Sequence, residues 1–351
     1  MACTKLGIAN LPEQDLLALS EHINSLKESY DGRRVILYGG TGFVGTWLTA
    51  GFLMARLELN LDLDITVITR DSARAKKKFG VHGSKINFIQ HDFSAGFLNS
   101  NRVADIVIHA ATPTIPTTGS LNFSNTLDGT INAALHAKSV TSSNSSKPYV
   151  LHLSSGSIYG PQPIAMPNRL ESDAILLDAK DAYTRAKLSA EEILFEAYKA
   201  GLINYQSPRL FAFAGPLISL SHHYAVGNFL RDGLAKEKIK VKGNPLTLRS
   251  YMYPLDLARV ITSLVVLNQY QDINIGSDLA ITMFDLAEKI SKLTSNQGVQ
   301  LLNPEESPTN YVPSILKLKQ LVWQQEFISL DHALEKWIIW IEATNRLARE
   351  D

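Results

Sequence analysis

From residue 33 onward the chain alternates short, mostly apolar runs with longer segments whose apolar positions recur every three or four residues. The runs "RVILYG", "DITVIT", "KINFIQHD", "ADIVIHAA" and "YVLHLSS" show little polar alternation, which predicts strands buried on both faces. Between them, "GTWLTAGFLMARLEL", "TLDGTINAALHAKSV" and "YTRAKLSAEEILFEAYKAG" carry helical spacing, the last stopping at Gly201, a C-cap glycine. Strands separated by helices of this length predict an α/β protein with a doubly wound parallel sheet. Ahead of this block, "LPEQDLLALSEHINSLKESY" places Leu16, Leu19, Ile23 and Leu26 on one face. It predicts an amphipathic helix packed on the main body or on a partner subunit. After about residue 208 the texture changes: "RLFAFAGP", "KIKVKG", "RSYMYPLDLARVITSLVVL" and "INIGS" mix short strands with helices. "FDLAEKISKL" and "LDHALEKWIIWIEATNRL" add two amphipathic helices, with "WIIWIEA" turned to the core. We expect an N-terminal helical extension at 1–30 and a first domain at 31–207 that recruits later strands from about 245–276. A smaller, interleaved α/β lobe at 208–351 would bind substrate.

Composition narrows the partners. Of 351 residues, 45% are hydrophobic and 19% charged, an ordinary core-forming balance. Lys plus Arg equals Asp plus Glu at 34 each, so no net field recruits nucleic acid or an anionic membrane. A single cysteine, Cys3, excludes an internal disulfide framework and fits a reducing cytoplasm. The first fifteen residues lack a basic segment followed by an apolar one, so no secretory signal is expected. No run of about 18 apolar residues suggests a membrane span.

The stretch "RRVILYGGTGFVGTWL" concentrates glycine where a strand hands over to a helix. Gly39, Gly42 and Gly45 form G-x-x-G-x-x-G: one for the turn, one for close approach of a pyrophosphate, one for helix–strand packing. In this context the pattern predicts a Rossmann-type dinucleotide site, with Thr41, Phe43 and Val44 against the phosphates. The end of the second strand reads "VITRDSARAKKKF". Thr69 stands where an acid would hold the adenosine ribose, Arg70 follows, and Asp71 comes late. Arg74 and Lys76 to Lys78 add positive charge, so NADP is favoured slightly over NAD. Asp92 and Phe93 after the third strand suit the adenine, and Ala110 and Ala111 of "HAATPT" suit close approach to the cofactor. His109 reads as a core histidine.

Two further segments carry chemistry. "LSSGSIYG" ends a strand in hydroxyls, and "YTRAK" sets Tyr183 and Lys187 four apart, on one helix face. A phenol titrating near 10 is too weak an acid for neutral-pH catalysis, but a nearby ammonium and the positive nicotinamide ring would favour its phenolate. Tyr183 could then take a proton from a hydroxyl as hydride leaves the same carbon, with Ser155 holding the oxygen.

With these pieces in view the chain resembles the NAD-dependent epimerase/dehydratase family, the extended short-chain dehydrogenases/reductases that modify nucleotide sugars. The likeness runs over about residues 33–345. "SSGSIYGPQP" and "FAFAGP…HHYAVGNFLRDGL" most resemble enzymes of surface-polysaccharide synthesis. It implies Ser155, Tyr183 and Lys187 as catalytic residues, with Tyr183 and Lys187 also touching the cofactor. Arg249 in "LRSYMYPLDLA" would contact the substrate diphosphate, with Asn228, Arg231, Thr112 and Ser157 as further substrate contacts. Asp256 would brace the loop behind Arg249. Pairing into a homodimer through two helices per subunit is implied as well. Two departures matter. The 4,6-dehydratases of the family carry Asp-Glu after the catalytic Ser/Thr, whereas this chain has Gly156 and Ser157, which disfavours dehydration. Ala212 replaces an asparagine that commonly touches the sugar nucleotide. His222 and His223 lie near the expected sugar position, and no metal-site spacing occurs. The expected function is a nucleotide-sugar epimerase or oxidoreductase. The alternatives are an NADP-dependent reductase of a non-nucleotide carbonyl and a non-catalytic dinucleotide sensor.

Overall fold

A computed structural model describes residues 5–99, 102–111, 120–139, 147–166, 168–178, 181–220, 224–267, 270–302 and 306–347. The central sheet is built from β1 Arg33–Tyr38, β2 Leu63–Thr69, β3 Asn87–Gln90, β4 Ile106–His109, β5 Tyr149–His152 and β8 Asn204–Gln206. Its six strands run parallel in the order β3-β2-β1-β4-β5-β8. The chain therefore reverses its direction of travel across the sheet between β1 and β4, which opens a crevice at their carboxyl ends.

The helices are α1 Glu13–Ser25, α2 Lys27–Tyr30, α3 Phe43–Glu58, α4 Ser72–Phe79, α5 Ser120–Ser139, α6 Ala182–Lys199, α7 Ala225–Leu234, α8 Pro254–Leu264, α9 Met283–Thr294, α10 Leu316–Leu321 and α11 Leu330–Thr344. Strand pleating divides the core between the two sheet faces. Val35 and Leu37 of β1 join Leu48 and Phe52 of α3 and Leu257 and Ile261 of α8 on one side. Ile36 and Tyr38 meet Ala133 and Ala137 of α5 and Leu194 of α6 on the other. Each of these large apolar side chains contributes on the order of 1.5–3 kcal/mol through burial.

The extension packs on the main body. Leu16, Leu19 and Ile23 are fully buried against α3 and α8. A Cβ on Gly51 of α3 would come within 2.4 Å of Leu19, so the glycine makes room for this contact. Tyr253 donates to Asp15 at 2.7 Å and Trp340 Nε1 to the Asn10 carbonyl at 2.6 Å, tying the extension to the C-terminal half.

"YVLHLSS" does not remain one strand. It breaks at Leu153, and β6 Ser154–Ser155 turns away to pair with β9 Arg209–Leu210, itself paired with β12 Asn274–Ile275. The break carries Ser155 out of the main sheet toward the later part of the chain. There a mixed sheet joins β13 Ile281–Thr282, β11 Leu248–Arg249, β15 Thr309–Tyr311 and β7 Gln162–Pro163 in that order. A separate parallel pair joins β10 Ile239–Val241 to β14 Val299–Leu301.

Candidate active site

The glycine turn is shaped by contacts that exclude side chains. Gly39 has φ of +73°, and a Cβ there would lie 2.8 Å from Ala111 Cα at the end of β4. A Cβ on Gly45 would lie 2.1 Å from the Gly39 carbonyl oxygen, so only glycine lets α3 start this close to the turn. Gly42 is the N-cap of α3 and no side chain caps its first N–H groups. These donors remain available to an anion, and the helix dipole favours one. Lys78 of α4 donates to the Thr41 carbonyl at 2.7 Å. Burial, with Arg346 and Arg74 nearby, lowers its pKa to about 8. Asp71 is committed elsewhere: it caps α4 by accepting from Arg74 N at 2.8 Å. Asp92 accepts from Ser94 N and Oγ at 3.0 and 2.7 Å, as a strand-end turn aspartate does. Phe93 packs on Tyr38, with ring centroids 4.8 Å apart.

The hydroxyl cluster forms where β6, α6 and β15 converge. Tyr183 in the first turn of α6 faces Ser155, and Lys187 Nζ lies 5.7 Å from the Tyr183 ring centroid while donating to the Leu153 carbonyl. Ser155 Oγ also accepts from Ser157 N at 3.2 Å, and Ser157 Oγ is buried with no described partner. Glu191, one turn beyond Lys187, forms an ion pair with buried Arg209 of β9 at 3.1 Å and fixes α6 against the three-stranded sheet. Behind Lys187, His109 and His152 sit opposite each other on β4 and β5 with rings 4.9 Å apart. Burial, then the charge of Lys187, lowers the His109 pKa to about 3, so it is the neutral core residue expected.

The Tyr183 pKa is raised, burial outweighing the nearby Ser155 hydroxyl. Burial lowers Lys187 itself to about 7, despite Glu191, so half of its charge is gone at neutral pH. An ammonium that must itself be desolvated is a weak activator of its neighbour.

Beyond the hydroxyls a cavity of about 650 Å³ lies between α7, β10, β11 and the 306–309 segment. Asn228, Arg231, Lys240, Lys242 and Arg249 line it, with Asp232 and Glu306 as its acids. Arg231 is already held by Asp232 at 2.8 Å. Arg249 donates to the Leu248 carbonyl at 2.8 Å and lies over the Tyr311 ring at 5.7 Å, and no described carboxylate pairs with it. Burial depresses its pKa. A partly buried guanidinium without a carboxylate is positioned for an anion.

The structure thus gathers Ser155, Ser157, Tyr183 and Lys187 in one cluster, and Gly39, Thr41, Gly42, Phe43, Val44, Gly45, Ala110 and Ala111 around the turn. Asn228, Arg231 and Arg249 share the cavity. Thr112, His222 and His223 lie outside the described residues. Asp256 is structural but braces a different place: it accepts from Ile328 N at 2.7 Å and faces Arg259 at 3.6 Å. Lys240 and Lys242 were missed, although "KIKVK" sets them two apart on one strand face, opposite buried Ile239 and Val241. Tyr311, which faces Ser155 and Tyr183, left no sequence signal. Among the described residues no cluster could hold a metal and no helix is long and apolar enough to cross a membrane.

A parallel sheet with a glycine turn at its switch point and a Tyr/Lys/Ser cluster beside it defines a dinucleotide-dependent enzyme fold of the extended short-chain dehydrogenase/reductase type. The chain belongs to the NAD dependent epimerase/dehydratase family, whose pattern it matches over residues 35–276. It is 28% identical over 316 residues to UDP-glucuronic acid decarboxylase 2 of Arabidopsis thaliana, covering 86% of this chain and 67% of that one. It is 24% identical to UDP-glucuronic acid decarboxylase 1 of Xenopus tropicalis, over 93% and 79% of the two chains. Among solved structures it resembles an epimerase of Methanothermobacter thermautotrophicus, with a TM-score of 0.73 and 19% identity over 95% of this chain and 98% of that one. It also resembles the UDP-glucuronic acid 4-epimerase of Bacillus cereus solved with UDP-glucuronic acid and NAD, with a TM-score of 0.70 and 20% identity over 89% and 99%.

Proposed function

We propose that this protein is a nucleotide-sugar epimerase or oxidoreductase working with a bound nicotinamide dinucleotide. The observation that carries the reading is the Ser155–Tyr183–Lys187 cluster, set between the glycine turn and a cavity whose Arg249 has no described acidic partner. The turn fits a dinucleotide: its donors are uncapped, and Gly39, Gly42 and Gly45 present no side chain beside them. Gly39, Thr41, Gly42, Phe43, Val44, Gly45, Ala110 and Ala111 would hold it, with Arg70, Asp92 and Phe93 toward the adenosine. Thr69 in place of an acid, together with Arg70 and Lys78, supports NADP, whereas the Bacillus cereus enzyme was solved with NAD. Bound there, the dinucleotide supplies a hydride acceptor and donor for a sugar ring carbon.

The side chains do the rest. Tyr183 takes the proton of the reacting hydroxyl and returns it on reduction, and Ser155 holds that oxygen. Lys187 fixes Tyr183 and the nicotinamide ribose. Arg249 takes the diphosphate, with Asn228, Arg231 and Ser157 as further contacts. A Cβ on Gly156 would lie 2.6 Å from the Phe211 ring, which packs over this glycine. The division of labour follows the chain: 1–30 as extension, 31–207 with strands from 245–276 for the dinucleotide, and 208–351 for the sugar nucleotide. The layer of α5 and α6, where Leu135 remains half exposed, is our candidate for the homodimer surface, tested by molar mass in solution.

The experiment is incubation with NAD or NADP and UDP-glucuronic acid, UDP-glucose or UDP-N-acetylglucosamine, with products followed by NMR. An epimer formed without net cofactor consumption assigns epimerisation, net NADPH consumption assigns reduction, and CO2 release assigns the decarboxylation named for the Arabidopsis relatives. No dinucleotide binding and no product from any sugar would overturn the reading.

A further inference from the structure

Five contacts surround one buried guanidinium. Arg209 of β9 donates from Nε and Nη2 to the two Glu191 oxygens, at 3.5 and 3.1 Å. Nη2 also reaches Asp272 at 3.3 Å, while Nη1 donates to the Tyr159 hydroxyl at 2.9 Å and the Glu171 carbonyl at 3.3 Å. A guanidinium carries five donors in a rigid fork, so this set of partners admits one orientation of the side chain. The elements it joins are those that carry the hydroxyl cluster. Its backbone stands in register with Ser154 of β6, with Leu210 opposite Ser155. Tyr159 closes the turn that follows Ser155. Glu191 lies one helical turn beyond Lys187, which lies one turn beyond Tyr183, so the three share a face of α6. One side chain thus ties the strand of Ser155 to the helix of Tyr183 and Lys187.

Resting on the function proposed above, we propose that Arg209 is a positioning residue for the reaction: its fork holds Glu191 as an ionised carboxylate one turn from Lys187, and so fixes both the seat of α6 beside Ser155 and the charge of Lys187. Without a partner, a carboxylate buried this deeply takes up a proton rather than stay charged. Burial does push the Glu191 pKa up, and Arg209 is the main group that opposes it. Lys187, lowered by burial to about 7, is drawn back toward the ammonium by Glu191. The groups facing Lys187 are Tyr183 and Glu191 on its own helix and His109 and His152 from β4 and β5. Those facing Glu191 are Arg209, Asp272, Tyr159, Tyr205 and Tyr270. Arg209 therefore acts on the reaction through Glu191, without touching substrate or dinucleotide.

The test follows Lys187 ionisation in the full chain by carbon NMR of labelled lysine, first alone and then with NAD, assigned by its loss in Lys187→Met. Arg209→Met should lower that ionisation by about one pH unit, while Arg209→Lys, which keeps a cation against Glu191, should restore most of it. Glu191→Gln should give the same fall, and Arg209→Met/Glu191→Gln no more than Glu191→Gln alone. The double variant removes both buried charges together and leaves neither stranded, so it keeps the test readable where Arg209→Met does not fold. With a UDP-sugar that turns over, Arg209→Met should lower kcat about tenfold at unchanged KM and move the Lys187 limb of the pH profile down. An unmoved Lys187 ionisation in Arg209→Met or in Glu191→Gln would overturn the proposal, as would a clear further fall in the double variant beyond Glu191→Gln. The titration needs no turnover. A wholly inert sugar panel would therefore sink the proposed function while leaving this result readable.

Discussion

The two walls of the cleft are built by opposite means. On the dinucleotide side the wall is backbone: Gly39, Gly42 and Gly45 strip side chains away, small Ala110 and Ala111 close the approach, and free N–H groups at the head of α3 carry the charge. On the side proposed for the sugar nucleotide the wall is long side chains, Arg231, Lys240, Lys242 and Arg249, mounted on or beside a short helix and strands of two or three residues. A backbone wall has a fixed shape and little tolerance for substitution. A side-chain wall can be retuned one residue at a time, which suits a family of one cofactor class and many sugars.

The sharpest way to break this comparison is at the seam between the walls. Tyr183→Phe removes the proposed proton-transfer group and should lower kcat about 10³-fold with dinucleotide binding intact, measured by turnover and calorimetry. Unchanged turnover would remove the assigned chemistry. On the backbone wall, Gly45→Ala forces a methyl onto the Gly39 carbonyl, where neither partner can yield. It should abolish dinucleotide binding and cost about 3 kcal/mol or more in thermal unfolding. On the other wall, Arg249→Met should weaken nucleotide-sugar binding about 10- to 100-fold with the cofactor still bound. Arg249→Lys should recover only part of that, since an ammonium lacks the planar fork.

The smallest expected effect lies outside both walls, where α1 docks. His22 accepts or donates at Nε2 against Ser263 Oγ at 2.9 Å and packs edge-on against Trp323. Burial, then Arg259, lowers its pKa to about 4. The unfolded chain, titrating near 6.5, therefore binds the proton first. The stability that neutral His22 provides is complete above about pH 6.5 and is lost as pH falls toward 4. His109 and His136, lowered to about 3 and about 4, act with the same sign. His22→Gln should flatten the fall in stability between pH 7 and 5 by about 1–2 kcal/mol after allowing for its part-exposure. Hydrogen exchange in α1 would report it, and an unaltered pH slope would remove His22 from the account.

What could be read in advance follows the same division. β1, β2, β4 and β5 were legible as buried runs because both faces of each are covered, and α3 and α6 because one stripe of each is. The glycine pattern was legible because steric exclusion acts within seven residues, and Tyr183 with Lys187 because one helical turn joins them. The break at Leu153 was not, since nothing local stops "YVLHLSS" as a strand. It ends because Arg209–Leu210, more than fifty residues later, takes Ser154 and Ser155 as partners.

The charge states were also beyond the sequence. "YTRAK" sets an amine beside a phenol, but the burial that acts on both groups cannot be read from their spacing. Short-range sterics and helical spacing are written into neighbouring residues, so the sequence alone determined the strand–turn–helix unit, the pairing of Tyr183 with Lys187 on one helix face and the parallel sheet. Which hydroxyl meets Ser155, which cation lacks a partner and how far each group is desolvated depend on segments brought together from distant parts of the chain. Tertiary packing decided those, because desolvation and hydrogen-bond polarity are properties of an assembled environment.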